Sequence, residues 1–331
     1  MPSLSNRAEP ERPLRVATVG ATGYAGTLTS TLVEGHPWMT LSAVTSEESA
    51  GRPLYEVCPE SDLDLKLERF DADRIADGAD VAMVGYPSGE AAPVVAELRE
   101  RDLPVVDFSG DNRLSAERYA RYYGGEAVPE LLAEAVYGLT ELHREEIREA
   151  ELVANPGCYA TAAILALAPL RGRIAEVIVD GKSGVSGAGR KAATAPDSKP
   201  YRPSGHPHIG ELEQELGEGI PITFVPHLSP EHQGLLVSCY VRPVGELTQA
   251  DLDELYRDAY ADERFVRVLA KPPSVNAVKY TNQCHVHAKV NPDTGLIMAF
   301  GAIDNLWKGA AGQAIQNLNV MLGYDESGGL R

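Results

Sequence analysis

Short apolar runs alternate with mixed, helix-patterned stretches through the first half of the chain. Leu14–Val19 is a β-branched run, and the turn Gly20-Ala21-Thr22-Gly23-Tyr24-Ala25-Gly26 follows it directly. Positions 27–34 carry a helical pattern closed by Gly35-His36-Pro37, and 39–45 is a second strand-like run. The rhythm then repeats. Positions 80–86 predict a strand ending at Pro87-Ser88-Gly89, and 90–101 predict a helix. Positions 103–108 predict a strand that runs into Ser109-Gly110-Asp111-Asn112-Arg113-Leu114. Strands separated by helices of this length pair in parallel as βαβ units, a Rossmann-type α/β arrangement. Ligands of such sheets bind beyond the carboxyl ends of the strands. The loops at 20–26, 46–48, 86–89 and 109–113 all fall there.

Past the middle the texture changes. An apolar stretch over 162–170 predicts a helix. Strands are then expected at 177–180, 222–225, 234–241, Cys284–Val290 and 296–303, with alternation visible at Val237, Cys239 and Val241. Helices are fewer, chiefly 209–216 and Gln249–Tyr260. This half reads as an α+β domain with a mainly antiparallel sheet. The segment 304–322 sets Leu306, Ala310, Ala311, Ala314, Ile315, Leu318 and Leu322 at helical spacing, which predicts a long amphipathic helix.

A length of 331 residues suits two domains. The formal charge of −18 would repel nucleic acid and anionic membrane surfaces, so neither is an expected partner. An anionic substrate would need a local arginine or lysine site. Cys58, Cys158, Cys239 and Cys284 are widely spaced with no C-x-x-C pair. That argues against a disulfide framework or zinc ribbon and fits a reducing cytoplasm. No run approaches the ~20 apolar residues of a membrane span. Positions 1–13 are polar and proline-containing, and read as a disordered tail.

Three stretches could carry chemistry. The first is the glycine turn at 20–26, whose strand–turn–helix context lets backbone approach a pyrophosphate at a helix N-terminus. Its spacing is G-x-x-G-x-x-G, a variant of the usual fingerprint, and the bland reading is a structural turn. The second is Ala154-Asn155-Pro156-Gly157-Cys158-Tyr159, where turn chemistry feeds the apolar helix. A thiol at a helix start is stabilised as thiolate and is a candidate nucleophile, weighed against an ordinary buried cysteine. The third is Ser204-Gly205-His206-Pro207-His208, with Glu211 one turn along. One of these histidines could exchange protons with a thiol or oxyanion. A turn histidine pair is the bland reading, and no nearby cysteine or aspartate completes a metal-ligand set. The loop 184–191 follows a strand and ends in Arg190 and Lys191. It is either an anion receiver or a flexible surface loop.

Taken together these residues resemble the N-acetyl-γ-glutamyl-phosphate reductase family of arginine biosynthesis, within the semialdehyde dehydrogenase superfamily. The likeness rests on 20–26, Asn155-Pro156-Gly157-Cys158-Tyr159, 183–190, His206-x-His208 with Glu211, and Ala302-Ile303-Asp304-Asn305-Leu306-Trp307-Lys308-Gly309. The resemblance implies that Cys158 attacks an acyl phosphate and holds the acyl group as a thioester for reduction by a nicotinamide cofactor. His206 is then the acid/base, supported by His208 and Glu211. Arg113, Arg190 and Ser186 become contacts to the anionic acyl-phosphate substrate. Gly20, Thr22, Gly23, Tyr24, Ala25, Gly26, Ser46, Pro87, Ser109 and Asn305 become cofactor contacts. The last helix returns to the cofactor domain. The expected division is therefore 14–157 plus 304–331 for the cofactor and 158–303 for substrate and oligomerisation, as a homodimer or homotetramer. The family implies NADP. Glu47, about 20 positions past the glycines, instead suits the free ribose hydroxyl of NAD, although Ser46 and Arg52 could hold a phosphate.

The family commonly has Pro-His-Gly at 87–89 and Ser-Ala-Asp-Phe-Arg-Leu at 109–114, and this chain departs at both places. Rival readings with related chemistry are a reductase of a carrier-protein-linked glutamyl or aminoadipyl phosphate and an aspartate-semialdehyde dehydrogenase. A Cys-His thiol hydrolase or acyltransferase, and a catalytically silent dinucleotide-binding regulator, are rivals of other classes.

Overall fold

The computed structural model describes residues 12–125, 127–190 and 197–331. The tail expected at 1–13 therefore lies outside the described residues up to position 11, as does Lys191. Arg12, at the end of that stretch, pairs with Asp80 at 3.0 Å. The chain divides into two compact units, Met1–Pro156 with Ala310–Leu330, and Gly157–Gly309 with Arg331. Gly157 and positions 304–309 thus go with the second unit, where the pattern of the sequence had grouped them with the first.

The first unit holds β1 (Leu14–Val19), β2 (Met39–Val44), β3 (Val81–Val84), β4 (Val105–Asp107), β5 (Val136–Tyr137) and β6 (Leu152–Ala154). They form one sheet in the order β2-β1-β3-β4-β6-β5, with every pairing parallel. The central strands are apolar without alternation because both faces are covered; β3, Val-Ala-Met-Val, is buried throughout. Val19, Val84, Val95, Leu98, Val105 and Leu152 share one core cluster. Strand β3 stops short of the run that predicted it: its register with β1 ends at the Val19–Val84 pair, closed by the bond from the Gly85 N–H to the Val19 carbonyl at 2.7 Å. The first helix, Tyr24–Glu34, starts earlier than its apolar pattern, because Gly23 takes the extended N-cap conformation.

The C-terminal segment is not the amphipathic helix its spacing predicted. A π-helical turn, Trp307–Ala311, leads into the helix Gly312–Met321, and every residue of that helix is buried. Its polar positions are satisfied inside the unit. Asn317 donates to the Gly138 carbonyl (2.7 Å) and to Asn155 Oδ1 (3.0 Å). Gln313 donates to Thr140 Oγ1 at 2.8 Å, and Gln316 to Glu141 at 3.1 Å. A face that reads as solvated in the sequence is a hydrogen-bonded interior face.

The second unit holds β7 (Ile174–Gly184), β8 (Lys199–Pro200), β9 (Ile222–Ser229), β10 (Leu235–Pro243), β11 (Val266–Val268), β12 (Cys284–Val290) and β13 (Ile297–Ile303). Their order is β11-β12-β13-β10-β7-β9-β8. The pairings are antiparallel except β7 with β9 and β11 with β12. Helix Cys158–Leu167 packs on β10, β12 and β13, and Tyr159 to Leu167 are all buried. Alanine supplies helix propensity here and lets the helix lie close to the sheet. At Gly301 a Cβ would meet the Ala162 carbonyl oxygen. Tyr256 and Tyr260 donate to the carbonyls of Ala166 and Leu165 and fasten the far end of the helix. On the opposite face of the sheet Tyr240 stands between Ile178 and Met298 in register. Among the described residues no helix is long and apolar enough to cross a membrane.

Candidate active site

Cys158 is the first residue of its helix and the only one of the ten that is not fully buried. Gly157, the N-cap, is extended and provides no side-chain cap. The start of the helix therefore presents backbone N–H groups and the positive end of its dipole beside the thiol. The Gly157 N–H itself donates to Glu211 Oε2 at 2.9 Å. Glu211 is fully buried in the helix His208–Leu216, so a carboxylate anchors the turn on which the thiol stands. A glycine is required at 157, because a Cβ there would run into the His208 ring.

The histidine pair is close-packed. The rings of His206 and His208 lie 4.7 Å apart, and His208 Nε2 is 3.8 Å from Glu211 Oε1. The His208 backbone N–H donates to His206 Nδ1 at 3.3 Å. That nitrogen must then be the bare one, and the proton of the neutral ring sits on Nε2. Burial first, then the positive side of His208 and Arg202, pushes the His206 imidazole down to about 2, against the pull of Glu211. His206 is thus a neutral Nε2–H donor. Its ring is boxed by Tyr159, Tyr201 and Phe224, at 6.3, 5.9 and 5.0 Å. The same two tyrosines border the nucleophile. The Tyr201 hydroxyl is pushed up to about 12 by burial and by negative charge at Cys158, and Tyr159 is raised for the same reasons. Both stay protonated. Thiol, imidazole and phenols therefore share one environment.

In the first unit, the loops after β1, β2, β3 and β4 carry Gly20, Ser46, Pro87 and Ser109 at the carboxyl ends of four adjacent strands. Gly20 has φ +86°, which favours glycine. At Gly26 a Cβ would collide with the Gly20 carbonyl, so helix and loop meet backbone to backbone. Gly23 caps helix Tyr24–Glu34 without a side chain, no acidic residue occupies the first turn, and a Cβ at Gly23 would meet nothing within 4 Å. This open, uncapped helix start with Thr22, Tyr24 and Ala25 around it fits the diphosphate of a dinucleotide.

Two family models match the two halves. Residues 15–150 match the NAD binding domain of semialdehyde dehydrogenase, and residues 158–305 match its dimerisation domain. N-acetyl-gamma-glutamyl-phosphate reductase of Geotalea daltonii is 47% identical over 96% of this chain and 98% of its own length. The chain belongs to the semialdehyde dehydrogenase family. A second relative, the putative [LysW]-L-2-aminoadipate/[LysW]-L-glutamate phosphate reductase of Cenarchaeum symbiosum, is 40% identical over 96% of this chain and 98% of its own. The solved aspartate semialdehyde dehydrogenase II of Vibrio cholerae, complexed with ASA, is similar in fold. It has a TM-score of 0.73 at 17% identity, over 94% of this chain and 99% of that one.

Within this semialdehyde dehydrogenase, several residues expected at the site have structural partners. Arg113 donates from Nε to the Asn155 carbonyl and from Nη2 to the Phe108 carbonyl, both at 2.7 Å, and so braces the strand end before the cysteine turn. Ser186 accepts from Asn305 Nδ2 at 2.9 Å, and Asn305 Oδ1 accepts from the Gly234 N–H at 2.7 Å. Both belong to the second unit, which joins two residues the sequence had assigned to different ligands. Arg190 is half-buried at the edge of the described residues. The Ser109 hydroxyl donates to Asp107 at 2.7 Å and accepts from the Asp111 N–H at 3.1 Å. Ser46 Oγ accepts from the Ser49 N–H, and Glu47 accepts from the Phe70 N–H at 3.0 Å.

The two departures from the family pattern touch one another. Gly110 donates to Ser88 Oγ at 2.8 Å, and a Cβ at Gly110 would enter the Tyr123 ring. Asp111 links the same loops by accepting from the N–H groups of Gly89, Ala91 and Ala92 at 2.6 to 3.1 Å, which caps the helix Ala91–Arg99. Sequence reasoning passed over Asp111, whose distance from that helix start hides the cap. It also missed Tyr201, which has no local signature.

Proposed function

We propose that this chain reduces N-acetyl-γ-glutamyl phosphate to N-acetylglutamate 5-semialdehyde with release of phosphate, using NADPH, in arginine biosynthesis. The observation that carries the reading is the half-exposed Cys158 at an uncapped helix start, with the neutral His206 donor sharing its tyrosine neighbours. Cys158 Sγ adds to the acyl carbon, the carbon–oxygen bond to phosphate breaks, and the acyl group remains as a thioester. The backbone N–H groups of the first helical turn and His206 Nε2–H donate to the oxygen that becomes negative. A bound nicotinamide supplies the hydride that takes the thioester to the aldehyde level. Rupture of the carbon–sulfur bond then returns the thiolate and frees the semialdehyde. The residues that would hold the dinucleotide are Gly20 to Gly26, with Ser46, Pro87 and Ser109. Glu47, the residue that points to NAD, accepts from the Phe70 amide through Oε1, while Arg52 lies 3.7 Å from Glu56 and Ser46 Oγ accepts from the Ser49 N–H, so the NADP preference rests on the family.

We assign the reaction to the cytoplasm, where a thiolate nucleophile stays reduced. A homodimer or homotetramer forms through the outward face of the second sheet, where Ile178 and Tyr240 stand side by side, 43% and 39% exposed. A second reading, reduction of an acyl phosphate on a carrier protein, draws support from the Cenarchaeum symbiosum relative.

The assay runs the reaction backwards. N-acetylglutamate semialdehyde and phosphate are supplied with NADP or NAD, and absorbance of the reduced cofactor is followed. Reduction of NADP is expected, and no reduction of either cofactor refutes the assignment. Activity confined to a carrier-linked semialdehyde would favour the second reading. Cys158→Ser should abolish turnover and keep cofactor binding; near-normal rates would disprove the thioester route.

A further inference from the structure

The π-helical turn Trp307–Ala311 has no role in the reaction as described, yet it touches the nucleophile. A bond of the same five-residue span leads into it, from the Gly309 N–H to the Asp304 carbonyl at 2.9 Å. Such turns add one residue to a helix and change which side chain faces a neighbour. Here the residue presented is buried Gly309. A Cβ built on it would lie 2.7 Å from Cys158 Cβ, 3.2 Å from Ile303 Cδ1 and 3.3 Å from Cys158 Cα. The first of these is roughly 0.7 Å inside the 3.4 Å at which ordinary contacts begin. The start of the turn is firmly held. Asp304 is fully buried, and its Oδ1 accepts from the N–H groups of Leu306 (2.9 Å) and Trp307 (3.1 Å). Its Oδ2 accepts from the Tyr280 N–H and from Gln233.

We propose that Gly309 is a positioning residue for Cys158: the Asp304-anchored π-turn sets a bare backbone against the thiol's β-carbon, and this contact fixes where the sulfur stands. The proposal rests on Cys158 being the nucleophile. Any side chain at 309 must push either Cys158 or Ile303 aside. Cys158 Cβ is tied to its own backbone, so relief of the 2.7 Å contact has to shift the start of the Cys158 helix or the turn that carries residue 309. A shift of a few tenths of an ångström in an attacking atom is expected to cost about tenfold in rate.

The test uses Gly309→Ala, Ile303→Val and the double variant. Ile303→Val removes the Cδ1 methyl and with it the 3.2 Å contact, giving residue 309 room to shift. Two readouts are taken: steady-state kinetics with the semialdehyde, phosphate and NADP, and the iodoacetamide alkylation rate of Cys158. The other three cysteines are buried, so alkylation reports this thiol. Gly309→Ala is expected to lower kcat about tenfold, leave both KM values within about twofold, and change the alkylation rate several-fold. The double variant should regain most of both, and Ile303→Val alone should behave as wild type. Unchanged alkylation and kcat in Gly309→Ala overturns the proposal, as does a loss that Ile303→Val fails to relieve. Should Gly309→Ala fold poorly, the double variant carries the test: wild-type kinetics with a normal alkylation rate support the contact, and a persistent defect refutes it. Failure of the wild type to reduce NADP would refute the proposed function, while the alkylation comparison would still judge Gly309.

Discussion

His206 gives the chain a pH dependence whose sign and size follow from its surroundings. Its imidazole is held at about 2, against an ordinary 6.5, chiefly by burial. The folded state therefore binds fewer protons at this residue than the unfolded state between those two values. Stability from the neutral ring is fully present above pH 6.5 and is lost as pH falls below it, by about 1.4 kcal/mol per pH unit. At pH 4.5 the loss from this one group is about 3 kcal/mol, a large share of a typical 5–15 kcal/mol stability. Carboxylates and the buried His36, whose imidazole burial also lowers, act in the same acid range, so the absolute curve does not isolate His206. The difference between wild type and His206→Asn does. Urea unfolding at a series of pH values from 4.5 to 8 should show the wild-type advantage shrinking by about 1.4 kcal/mol per unit below pH 6.5. Curves that stay parallel would refute the buried neutral histidine. The same state predicts that kcat/KM shows no acid limb near pH 6.5 that His206 controls, because the ring is already neutral there.

Three further outcomes are expected. Glu211→Ala leaves the Gly157 N–H without its acceptor and should cost about 2 kcal/mol with a large fall in kcat. Glu211→Gln keeps that acceptor, so stability should hold within about 1 kcal/mol while kcat still falls; wild-type kcat in Glu211→Gln would make Glu211 a backbone clamp and nothing more. Gly26→Ala places a methyl against the Gly20 carbonyl and 3.0 Å from Ala21 Cα. The cofactor KM should rise at least ~10-fold with Cys158 alkylation unchanged, and an unchanged KM would separate the loop from the cofactor. Asn317→Leu strands Asn155 Oδ1 and the Thr140 hydroxyl proton, while the Gly138 carbonyl keeps Gln313, and should lower the unfolding free energy by about 3 kcal/mol; a loss under 1 kcal/mol would show that the buried polar face is dispensable.

Much of the architecture was legible because it is written locally. The run Leu14–Val19, the glycines after it and the helix beyond them are contiguous, and so is the turn into Cys158. Strand Cys284–Val290 and helix Gln249–Tyr260 coincide with their patterns. What stayed hidden depends on partners distant in the chain. The interior helix Gly312–Met321 looks amphipathic until Gly138, Thr140 and Asn155 are placed against its polar side. Tyr201 belongs to the site only because the fold sets it beside His206, and the Asn305–Ser186 pair is equally non-local. The π-turn is invisible to periodicity, which cannot register a single added residue.

Buried carboxylates stiffen each of the two units from within. Asp111, Glu211 and Asp304 are each almost or fully inaccessible, and each accepts from backbone N–H groups at the start of a turn or helix. Asp111 joins the loops after β3 and β4, Glu211 holds the turn before Cys158, and Asp304 holds the turn against its far side. None has an arginine or lysine as the partner in these bonds, and amide dipoles face each of them, joined at Glu211 by His208 Nε2 at 3.8 Å. Amide dipoles cannot swing away as a surface lysine can, which makes such clamps stiff. A nucleophile that must meet an acyl carbon and hold it for a second reagent needs that stiffness more than it needs a stronger base. Three of the chain's acidic residues are therefore part of its internal frame, distinct from the surface charge that the composition alone would suggest.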